Sequence, residues 1–415
     1  MRRPERVGVV GAGMLGLATA WHLQDRGVQV TVIDRKGVAA GASWGNAGWV
    51  TPALVAPLPD PAILRYGLSA VVRRSSPVYL PPQFDLGLLA FLGRFMRNST
   101  MRRWQVGMRA LADLSRGEAD AFDALASRRW ADGAVHRSSI FACADRSEQL
   151  SGLLVELAHV RELGVQVRHS TLTPLEAREL VPTLTDAVGA VLRIEDQRFI
   201  DPGRLLAGLA SDVCARGGQV RESVTAVDID AGAEDVSVLT ATGDRLRFDA
   251  VVVATGTWLG QLTRKFGVRT RVQAGRGYSF SARAKALPAG PLYLPALRVA
   301  CTPLGDRLRI AGMMEFCPPE APLDERRVRT IAESVRPYLS DVDLDGRTDT
   351  WVGSRPCTAD GLPLIGPTSS GRVWVAGGHG MWGITLGAVT GRALAHAMTG
   401  DPRPELVPFH PLRTS

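Results

Sequence analysis

Three glycines near the start of the chain follow the spacing G-x-G-x-x-G, at Gly11, Gly13 and Gly16. In a phosphate-binding turn the first permits a tight turn, the second lets the backbone approach a pyrophosphate, and the third lets a helix pack closely on a strand. The N–H groups and the positive dipole end at the start of that helix attract phosphates. Asp34 lies 18 residues beyond Gly16, where a carboxylate can bind ribose hydroxyls. A carboxylate at this position favours FAD or NAD over NADP.

The segments around these glycines must supply a strand, a helix and a second strand. The run "RVGVV" predicts a buried strand, "MLGLATAWHLQDRG" a helix, and "VQVTVID" a strand that ends at Asp34. The alternative is a glycine turn that only caps a helix, but the strand, turn, helix and terminal acid all follow in the order and spacing of a nucleotide-binding unit. Further along, "FDAVVVATGTWLG" and "RVWVAGGHG" predict buried strands that end in glycines, and "GITLGAVTGRALAHAM" predicts the closing helix.

Between these units the pattern changes to antiparallel strands. The stretches "RGYSFSA", "RVACTPLG" and "RLRIAGMMEF" alternate in polarity as half-buried strands do. The whole pattern predicts an α/β protein, α+β overall, in which a nucleotide-binding domain of separated segments carries an inserted antiparallel-sheet substrate domain. We predict the nucleotide-binding domain at residues 1–57, 148–262 and 348–405, the substrate domain at residues 58–147 and 263–347, and a C-terminal tail at residues 406–415.

Several further elements are predicted from periodicity. Residues 84–104 alternate apolar and basic residues with helical spacing. They predict one amphipathic helix that either contacts a membrane surface or electron acceptor or packs on its own domain. Residues 105–130 and 145–163 have helical patterns, and residues 53–82 predict a proline-rich loop with a short helix. The stretch "QVRESVTAVDID" predicts a single strand.

The composition predicts a soluble globular protein whose positive charge is almost all arginine. The chain has 415 residues, which suits two domains, a formal net charge of +8 and only three lysines. Five scattered cysteines without a C-x-x-C pair predict reduced thiols, a cytoplasmic location and no metal site. No separate basic domain appears, so we predict no nucleic-acid partner. The charge also suits an anionic membrane surface, so a peripheral location at the inner face of a membrane stays open.

Five motifs carry a resemblance over nearly the whole chain: "SWGNAGWVTP", "GRGYSF", "GMMEF", "RPCTADGLPLIG" and "GHGMWG". With the opening glycine turn they resemble the FAD-dependent D-amino acid oxidase superfamily, which includes glycine and sarcosine oxidases. They are most similar to its bacterial D-amino acid dehydrogenase branch. The resemblance implies a Rossmann-like FAD-binding domain of the glutathione-reductase type. It also implies hydride transfer from the substrate Cα to flavin N5, which gives an imino acid that water then hydrolyses.

The resemblance implies non-covalent FAD along the glycine turns. Backbone N–H groups of residues 378–384 would face the flavin N1–C2=O edge, which gains negative charge on reduction. Cys357 stands a few residues away from the register in which some sarcosine-type relatives attach flavin, so no covalent bond is expected. The residues implied around the cofactor are Gly11, Gly13, Met14, Leu15, Gly16, Asp34, Arg35, Ser43, Asn46, Ala47, Gly48, Val224, Thr255, Gly256, Gly378, Gly380, Gly383 and Ile384.

Three residues are implied at the substrate. Related amine oxidoreductases use an arginine in the position of Arg355 to bind the substrate carboxylate, and the alternative is a structural ion pair with Asp360 or another acid. The hydroxyl of Tyr278 either binds the substrate or belongs to a ring that only packs. His379, in the last glycine turn, either touches flavin or substrate or makes a structural hydrogen bond, and it is not assigned as a base.

Departures from the family pattern bear on the substrate and the electron acceptor. Ala300 stands where glycine oxidases tend to place a tyrosine, and Trp49 replaces a polar residue that often follows "NAG". No lysine matches the one that helps certain relatives react with oxygen. We therefore expect a dehydrogenase of a D-amino acid, or of a secondary amino acid such as D-proline or hydroxyproline, with a quinone or an electron-transfer protein as acceptor. The alternatives are an oxygen-using oxidase, an N-methyl amino acid or 2-hydroxy acid as substrate, and a flavoprotein that binds RNA or a protein.

Overall fold

The computed structural model describes residues 3–61, 76–81 and 85–413. Within them the chain forms two large sheets and a small one. The strands, in chain order, are β1 (Arg6–Val10), β2 (Gln29–Ile33), β3 (Trp49–Val50), β4 (Val78–Tyr79), β5 (Val135–Ala144), β6 (His169–Leu172), β7 (Ala190–Ile200), β8 (Gln219–Arg221), β9 (Ala226–Ala231), β10 (Val236–Thr240), β11 (Arg245–Phe248), β12 (Ala250–Val253), β13 (Gln273–Arg283), β14 (Leu292–Leu294), β15 (Val299–Leu304), β16 (Arg307–Glu315), β17 (Thr348–Cys357), β18 (Leu364–Pro367) and β19 (Val373–Gly377).

Helices cover the sheets, and several begin at a side chain that caps them. Asp85, Thr100, Asp201 and Asp324 each accept a hydrogen bond from a backbone N–H of the first turn that follows. The helices, in chain order, are α1 (Met14–Asp25), α2 (Leu86–Asn98), α3 (Met101–Ser115), α4 (Glu118–Ala126), α5 (Ser151–Glu162), α6 (Pro174–Leu180), α7 (Pro202–Ala215), α8 (Leu259–Thr263), α9 (Glu325–Val335) and α10 (Gly387–Met398).

The first sheet has the strand order β18–β19–β12–β1–β2–β8, in which only β18 pairs antiparallel. Its central strands are apolar on both faces because both faces are covered. Helices α1, α7 and α10 pack on one face through residues such as Leu17, Leu209 and Leu394. The small sheet β9–β10–β11 covers the other through Ile229 and Val238. The predicted βαβ unit, the later buried strand and the closing strand and helix are confirmed.

The second sheet has ten strands within the described residues. β17–β13–β16–β15–β14–β5–β7–β3 form a row, with β4 beside β16 and β6 beside β7. Most pairs are antiparallel, as predicted, but β14 pairs parallel with β5 and β4 parallel with β16. The three stretches predicted as antiparallel strands lie in the adjacent strands β13, β16 and β15. Helix α9 packs on this sheet, where Val328 contacts a core that contains Phe280 and Ile310.

The two large sheets divide the chain differently from the predicted domain segments. β3, β7 and β17 belong to the second sheet, although they fall in the segments predicted for nucleotide binding. Helices α5 and α6 also pack on the second sheet, through Leu153 and Ala177. The pattern of a strand does not encode which sheet the strand joins. The borders of the two domains therefore stay a prediction.

Two predicted elements are broken in the structure. The single helix predicted at residues 84–104 is α2 followed by the start of α3, because Thr100 caps a new helix at this point. The single strand "QVRESVTAVDID" is β8 and β9, which lie in different sheets. Between them Ser223 has a positive φ of 58°, and the Val224 N–H donates to the Asp34 carbonyl oxygen. Of the loop and short helix predicted at residues 53–82, residues 62–75 and 82 lie outside the described part of the chain.

The predicted tail packs on the protein as far as residue 413. Phe409 is fully buried, and the Arg413 guanidinium donates to both carboxylate oxygens of Asp360 at 2.9 and 3.1 Å. These contacts make the segment part of the fold. In the described part of the chain, no helix is both long and apolar enough to span a membrane, and no cluster of three or more histidine, cysteine or acidic side chains could hold a metal ion.

Glu118, at the start of α4, is a buried carboxyl group with few partners. It is 2% exposed, and its Oε2 lies 3.7 Å from the Arg198 guanidinium. Its Oε1 has no hydrogen-bond partner among the residues that the structure describes. Burial raises the pKa of Glu118 to about 7, because the opposing attraction of Arg198 is weaker than the loss of hydration.

We predict that Glu118→Gln stabilises the protein above neutral pH. Because burial raises the folded-state pKa, the folded state binds more protons than the unfolded chain between about pH 4.5 and 7, and the free energy of unfolding falls as the pH rises through this window. A neutral amide avoids this loss of about 3 kcal/mol. Urea unfolding is measured at a pH below this window and at a pH above it. The free energy of unfolding of the variant, relative to that of the wild type, should be larger at the higher pH. Equal pH dependence in the variant and the wild type would contradict the prediction. Glu333→Gln, at an exposed position of α9, is the control.

Candidate active site

The glycine turn between β1 and α1 is packed as tightly as its spacing predicts. Gly11 has a φ of +116°, and a Cβ atom there would lie 2.5 Å from the Ala254 carbonyl oxygen. A Cβ at Gly16 would overlap the Gly11 carbonyl oxygen. Gly13 is the N-cap residue of α1, and no side chain caps it. Apart from the Met14 N–H, which donates to a serine hydroxyl at 3.3 Å, the first N–H groups of α1 are therefore left for an anion.

Asp34 ends β2 and faces the same turn. Its Oδ2 accepts a hydrogen bond from the Ala12 N–H at 2.9 Å, and its Oδ1 accepts from the Lys36 and Gly37 N–H groups at 2.8 and 3.0 Å. These bonds fix the carboxylate at the edge of the sheet, and Oδ2, which accepts one hydrogen bond, keeps a lone pair for another donor. The predicted contact with ribose hydroxyls is compatible with this geometry and stays a prediction.

A cleft, called here the cofactor cleft, runs along the carboxyl ends of the parallel strands to the loop after β19. This edge of an α/β sheet is where ligands bind. The structure brings most of the residues predicted around the cofactor to its wall. Those that line it are Gly11, Gly13, Met14, Leu15, Asp34, Arg35, Ser43, Asn46, Val224, Thr255, Gly256, Gly380, Gly383 and Ile384.

Four residues predicted around the cofactor do not line the cleft. At Gly16, Gly48 and Gly378 an added Cβ would meet neighbouring protein atoms, so these glycines serve close packing. Ala47 faces a second cavity. The sequence analysis missed Trp258, which lines the cleft. The Arg35 Cζ atom lies 3.8 Å from the centre of the Trp258 ring. The signal that could have identified Trp258 is its position two residues after Gly256, where a predicted buried strand ends in a glycine.

The wall of the cofactor cleft suits a polar, elongated ligand. The hydroxyls of Thr255 and Thr257 are buried and lack a hydrogen-bond partner in the described part of the structure. Gly256 and Gly380 leave open space where another residue would place a Cβ. FAD fits these features, because its hydroxyl and phosphate groups can pair with the threonines and with the open helix start, and the glycines make room for it.

His379 lies in the cleft wall as a neutral side chain. It is 3% exposed, and its Nε2 lies 3.0 Å from the Thr390 hydroxyl. Burial lowers the pKa of His379 to about 3. The structural hydrogen bond that was one of the two alternatives is therefore present. A contact of His379 with a bound flavin or substrate stays a prediction.

A second cavity of about 550 Å³, called here the substrate cavity, lies against the second sheet. Ala42, Asn46 and Arg355 line both this cavity and the cofactor cleft, so the two spaces meet at these residues. From there the cavity crosses β13, β16 and β15 and reaches β14. Since neighbouring strands are about 4.8 Å apart, this path from β17 is about 19 Å long. A ligand at Arg355 therefore has the cofactor cleft on one side and a long space on the other.

Arg355 projects from β17 at this junction. Its Nη1 donates a hydrogen bond to the Met313 carbonyl oxygen at 2.6 Å, and its guanidinium occupies the space where Gly277 lacks a side chain. Burial lowers the pKa of Arg355, because the charged form loses hydration. Among the described residues no carboxylate forms a salt bridge with it. The alternative pairing with Asp360 is wrong, because Arg413 binds that carboxylate.

Tyr278, on β13, lines the substrate cavity with its hydroxyl already engaged. The hydroxyl donates to Glu315 Oε2 at 2.6 Å, and Glu315 lies 3.9 Å from the Arg276 guanidinium. Burial and the hydrogen bond with Glu315 raise the pKa of Tyr278. The hydroxyl proton is therefore not available to a substrate in this arrangement, which leaves the ring and the oxygen lone pairs. A substrate contact of Tyr278 stays a prediction.

Aromatic side chains form the walls of the substrate cavity. Trp49, Tyr293, Trp351 and Trp382 line it. The indole N–H groups of Trp49 and Trp382 donate to the Thr302 hydroxyl at 2.9 Å and to a backbone carbonyl at 2.7 Å, so both rings are held in place. The sequence analysis singled out Trp49 but missed Tyr293 and Trp351. Their strands reach the cavity only through the order of the second sheet.

Small residues form the floor of the substrate cavity. Ala300, Ala311 and Gly312 line it on the adjacent strands β15 and β16. The extra room expected from alanine at position 300 is therefore part of a wider small-residue floor. Glu156 and Arg298 also line the cavity, and both are exposed to solvent, so this part is its mouth.

A family model described as "DAO: FAD dependent oxidoreductase" matches residues 6–397. The chain belongs to this FAD-dependent oxidoreductase family. The match spans the opening glycine turn, Arg355 and the last glycine turn, which are the parts that surround the cofactor cleft and its junction with the substrate cavity. The resemblance to this superfamily and the expected dependence on FAD are thereby confirmed.

Relatives and solved structures agree over the full length. The D-amino acid dehydrogenases of Methylobacterium radiotolerans and Sinorhizobium medicae are 32% and 31% identical; the alignments cover 94% of this chain and 95% of each relative. The glycine oxidase of Geobacillus kaustophilus has a TM-score of 0.76 at 22% identity and 100% coverage of both chains. The L-proline dehydrogenase of P. horikoshii has a TM-score of 0.70 at 16% identity, with 100% and 98% coverage. These structures confirm the predicted fold class.

We predict that Gly13→Val removes bound flavin from a protein that still folds. The nearest atom to a new Cβ is the Ser43 hydroxyl at 3.3 Å, so the turn itself tolerates the change. The valine methyl groups would occupy the approach of the pyrophosphate, and flavin content should fall about tenfold or more. The absorbance of the purified protein near the flavin maximum measures this. Gly93→Ala, where nothing lies within 4 Å, is the control, and full flavin content in Gly13→Val would sink the assignment.

Proposed function

We propose that this protein oxidises a D-amino acid, or a secondary amino acid of the D-proline or hydroxyproline type, and passes the electrons to an acceptor other than oxygen. The observation that carries the proposal is the Arg355 guanidinium, which stands where the cofactor cleft meets the substrate cavity and has no carboxylate partner within the described ranges. The names of relatives that are 31–32% identical support a D-amino acid as the substrate.

The environment of Arg355 favours an incoming carboxylate. One N–H of the guanidinium is bound by the Met313 carbonyl oxygen, and the side chain lines both the cofactor cleft and the substrate cavity. An enclosed cation without a counter-charge is costly, so an anion that reaches it gains more than it would in water. The planar fork of a guanidinium matches the two oxygens of a carboxylate. We infer that Arg355 is the substrate anchor.

The chain contributes position more than acid or base chemistry. Bound FAD supplies the acceptor for the hydride that leaves the substrate Cα. A carboxylate held at Arg355 keeps the attached Cα at the edge of the cofactor cleft, beside Asn46. His379 and Tyr278 are poorly suited as bases, since one is bonded to Thr390 and the other donates its proton to Glu315. The substrate amine therefore has to enter in its neutral form, and the rate of oxidation should rise with pH.

The substrate cavity supports a substrate with a sizeable apolar part. It measures about 550 Å³, its walls are aromatic and its floor consists of small residues. Burial of an apolar side chain against Trp49 and Tyr293 contributes roughly 25 cal/mol for each Å² removed from water. A ring of the proline type and a longer side chain both fit such a space, which is why the proposal includes primary and secondary amino acids.

Two observations support the finer parts of the proposal. No lysine lines the substrate cavity in the described part of the chain: Lys36 lines the cofactor cleft, and Lys265 binds Asp228 at 2.6 Å. This supports an acceptor other than oxygen. All five cysteines are free, which supports a cytoplasmic location. Cys357 is buried and burial raises its pKa to about 12, which supports non-covalent FAD.

We predict that Arg355→Met impairs the oxidation of amino acids far more than it lowers flavin content. Loss of one partner of an enclosed charge pair costs about 2–5 kcal/mol, so kcat/KM should fall roughly 30-fold to several thousandfold. Arg355→Lys keeps the charge without the fork and should retain part of the activity. The readout is the anaerobic rate of flavin reduction by a D-amino acid and by the amine that lacks its carboxylate. Unchanged preference for the carboxylated substrate in Arg355→Met would rule out the anchor.

A further inference from the structure

The outer face of α2 and α3 exposes large apolar side chains. The inner faces of these helices already supply the residues that pack on the protein, since Leu88, Phe91, Trp104 and Met108 are buried. A helix that only packs on its own domain keeps its opposite face polar. Here a second apolar set faces solvent. Its members are 49–69% exposed and are Leu86, Leu89, Met96, Met101 and Val106.

The same face is basic and carries no acid. Residues 86–112 contain five arginines and neither aspartate nor glutamate. The nearest ion pairs along the chain lie at the two ends of this stretch, where Asp85 pairs with Arg271 and Asp113 with Arg116. Within the described ranges the five arginines form no salt bridge, and all five are exposed. They are Arg94, Arg97, Arg102, Arg103 and Arg109.

These ten residues, called here the α2–α3 surface, lie over the segment that lines the substrate cavity. Leu58 lines the cavity and packs in the cluster under α2. Pro57 also lines the cavity and touches α3, where a Cβ added to Gly107 would lie 2.7 Å from Pro57 Cγ. A partner bound to the α2–α3 surface would therefore be separated from the substrate cavity by these helices and the segment around Pro57 and Leu58.

We propose that the α2–α3 surface docks the protein on an anionic lipid bilayer. Unpaired arginines attract lipid phosphates, and exposed leucine, methionine and valine side chains bury themselves at the boundary between headgroups and acyl chains. A soluble anion or a nucleic acid would use the charge but leave the apolar side chains in water. The docking rests on this surface alone. Only its consequence, that a lipid-soluble electron acceptor lies close to the substrate cavity, rests on the proposed function.

Sedimentation of the purified full-length protein with lipid vesicles tests the docking. Vesicles of phosphatidylcholine with about a third phosphatidylglycerol are compared with vesicles of phosphatidylcholine alone, at an ionic strength near 0.1 M and again near 0.5 M. We expect binding to the anionic vesicles, little binding to the neutral ones, and weaker binding at the higher ionic strength. Equal binding to both kinds of vesicle, or none to either, overturns the proposal.

Matched variants connect the binding to this surface. Arg94→Gln with Arg97→Gln should lower binding to anionic vesicles roughly 30-fold, since each arginine near the surface contributes about 1 kcal/mol. Arg326→Gln with Arg329→Gln, at the same spacing on exposed positions of α9, should leave binding unchanged. Both sets remove exposed side chains, so the comparison does not depend on stability. Equal losses in the two sets overturn the assignment of the surface.

The apolar half of the surface is tested separately. Leu89→Ser with Met96→Ser should weaken vesicle binding while the salt dependence persists. Light scattering of the wild type and this variant without lipid identifies a different occupant. A wild-type dimer that the serine substitutions convert to a monomer, together with no vesicle binding, would assign the surface to a second copy of the chain and overturn the lipid proposal.

Discussion

An arginine enclosed in protein without a counter-charge is unfavourable, and the structure around Arg355 is arranged to hold one. Gly277 leaves the space that the guanidinium fills, and the Met313 carbonyl oxygen takes one of its donors. The nearby acid Asp360 is bound by Arg413 from the end of the chain, so it does not neutralise the site. The remaining donors lie at the junction of two spaces, one suited to FAD and one with aromatic walls. The affinity for a carboxylate that we infer at this point is the basis of the functional proposal.

The strand that carries Arg355 also fixes its position relative to the cofactor cleft. β17 pairs with β13 along its length, and its last residue, Cys357, forms an isolated bridge with His379 in the last glycine turn. The strand that carries Arg355 and the cleft wall are therefore joined by backbone hydrogen bonds and not by side-chain packing alone. Geometry held by backbone tolerates little displacement, which is what transfer of a hydride between two bound molecules requires.

Local pattern in the sequence was enough to predict the nucleotide-binding half of the site. Gly11, Gly13 and Asp34 act through turns and strand ends that neighbouring residues determine, and the structure brings them to one cleft. The substrate half depends on strand order, which local pattern does not encode. Tyr293 and Trp351 reach the cavity because β14 and β17 belong to one sheet, and the Tyr278 hydroxyl meets Glu315 across the pair β13–β16. The same limit explains why β3, β7 and β17 lie in the second sheet although they fall in segments predicted for nucleotide binding.

The central claim is that an amino acid carboxylate at Arg355 presents its Cα to the flavin, and an anaerobic spectrum of the wild-type protein tests it most directly. A D-amino acid, its L-enantiomer, D-proline and the amine without a carboxylate are added separately to the flavin-containing protein under nitrogen. We expect that the flavin band bleaches with a D-amino acid or D-proline, persists with the carboxylate-free amine, and returns faster with a quinone than with air. A band that none of these compounds bleaches, or that the carboxylate-free amine bleaches equally well, would contradict the role proposed for Arg355.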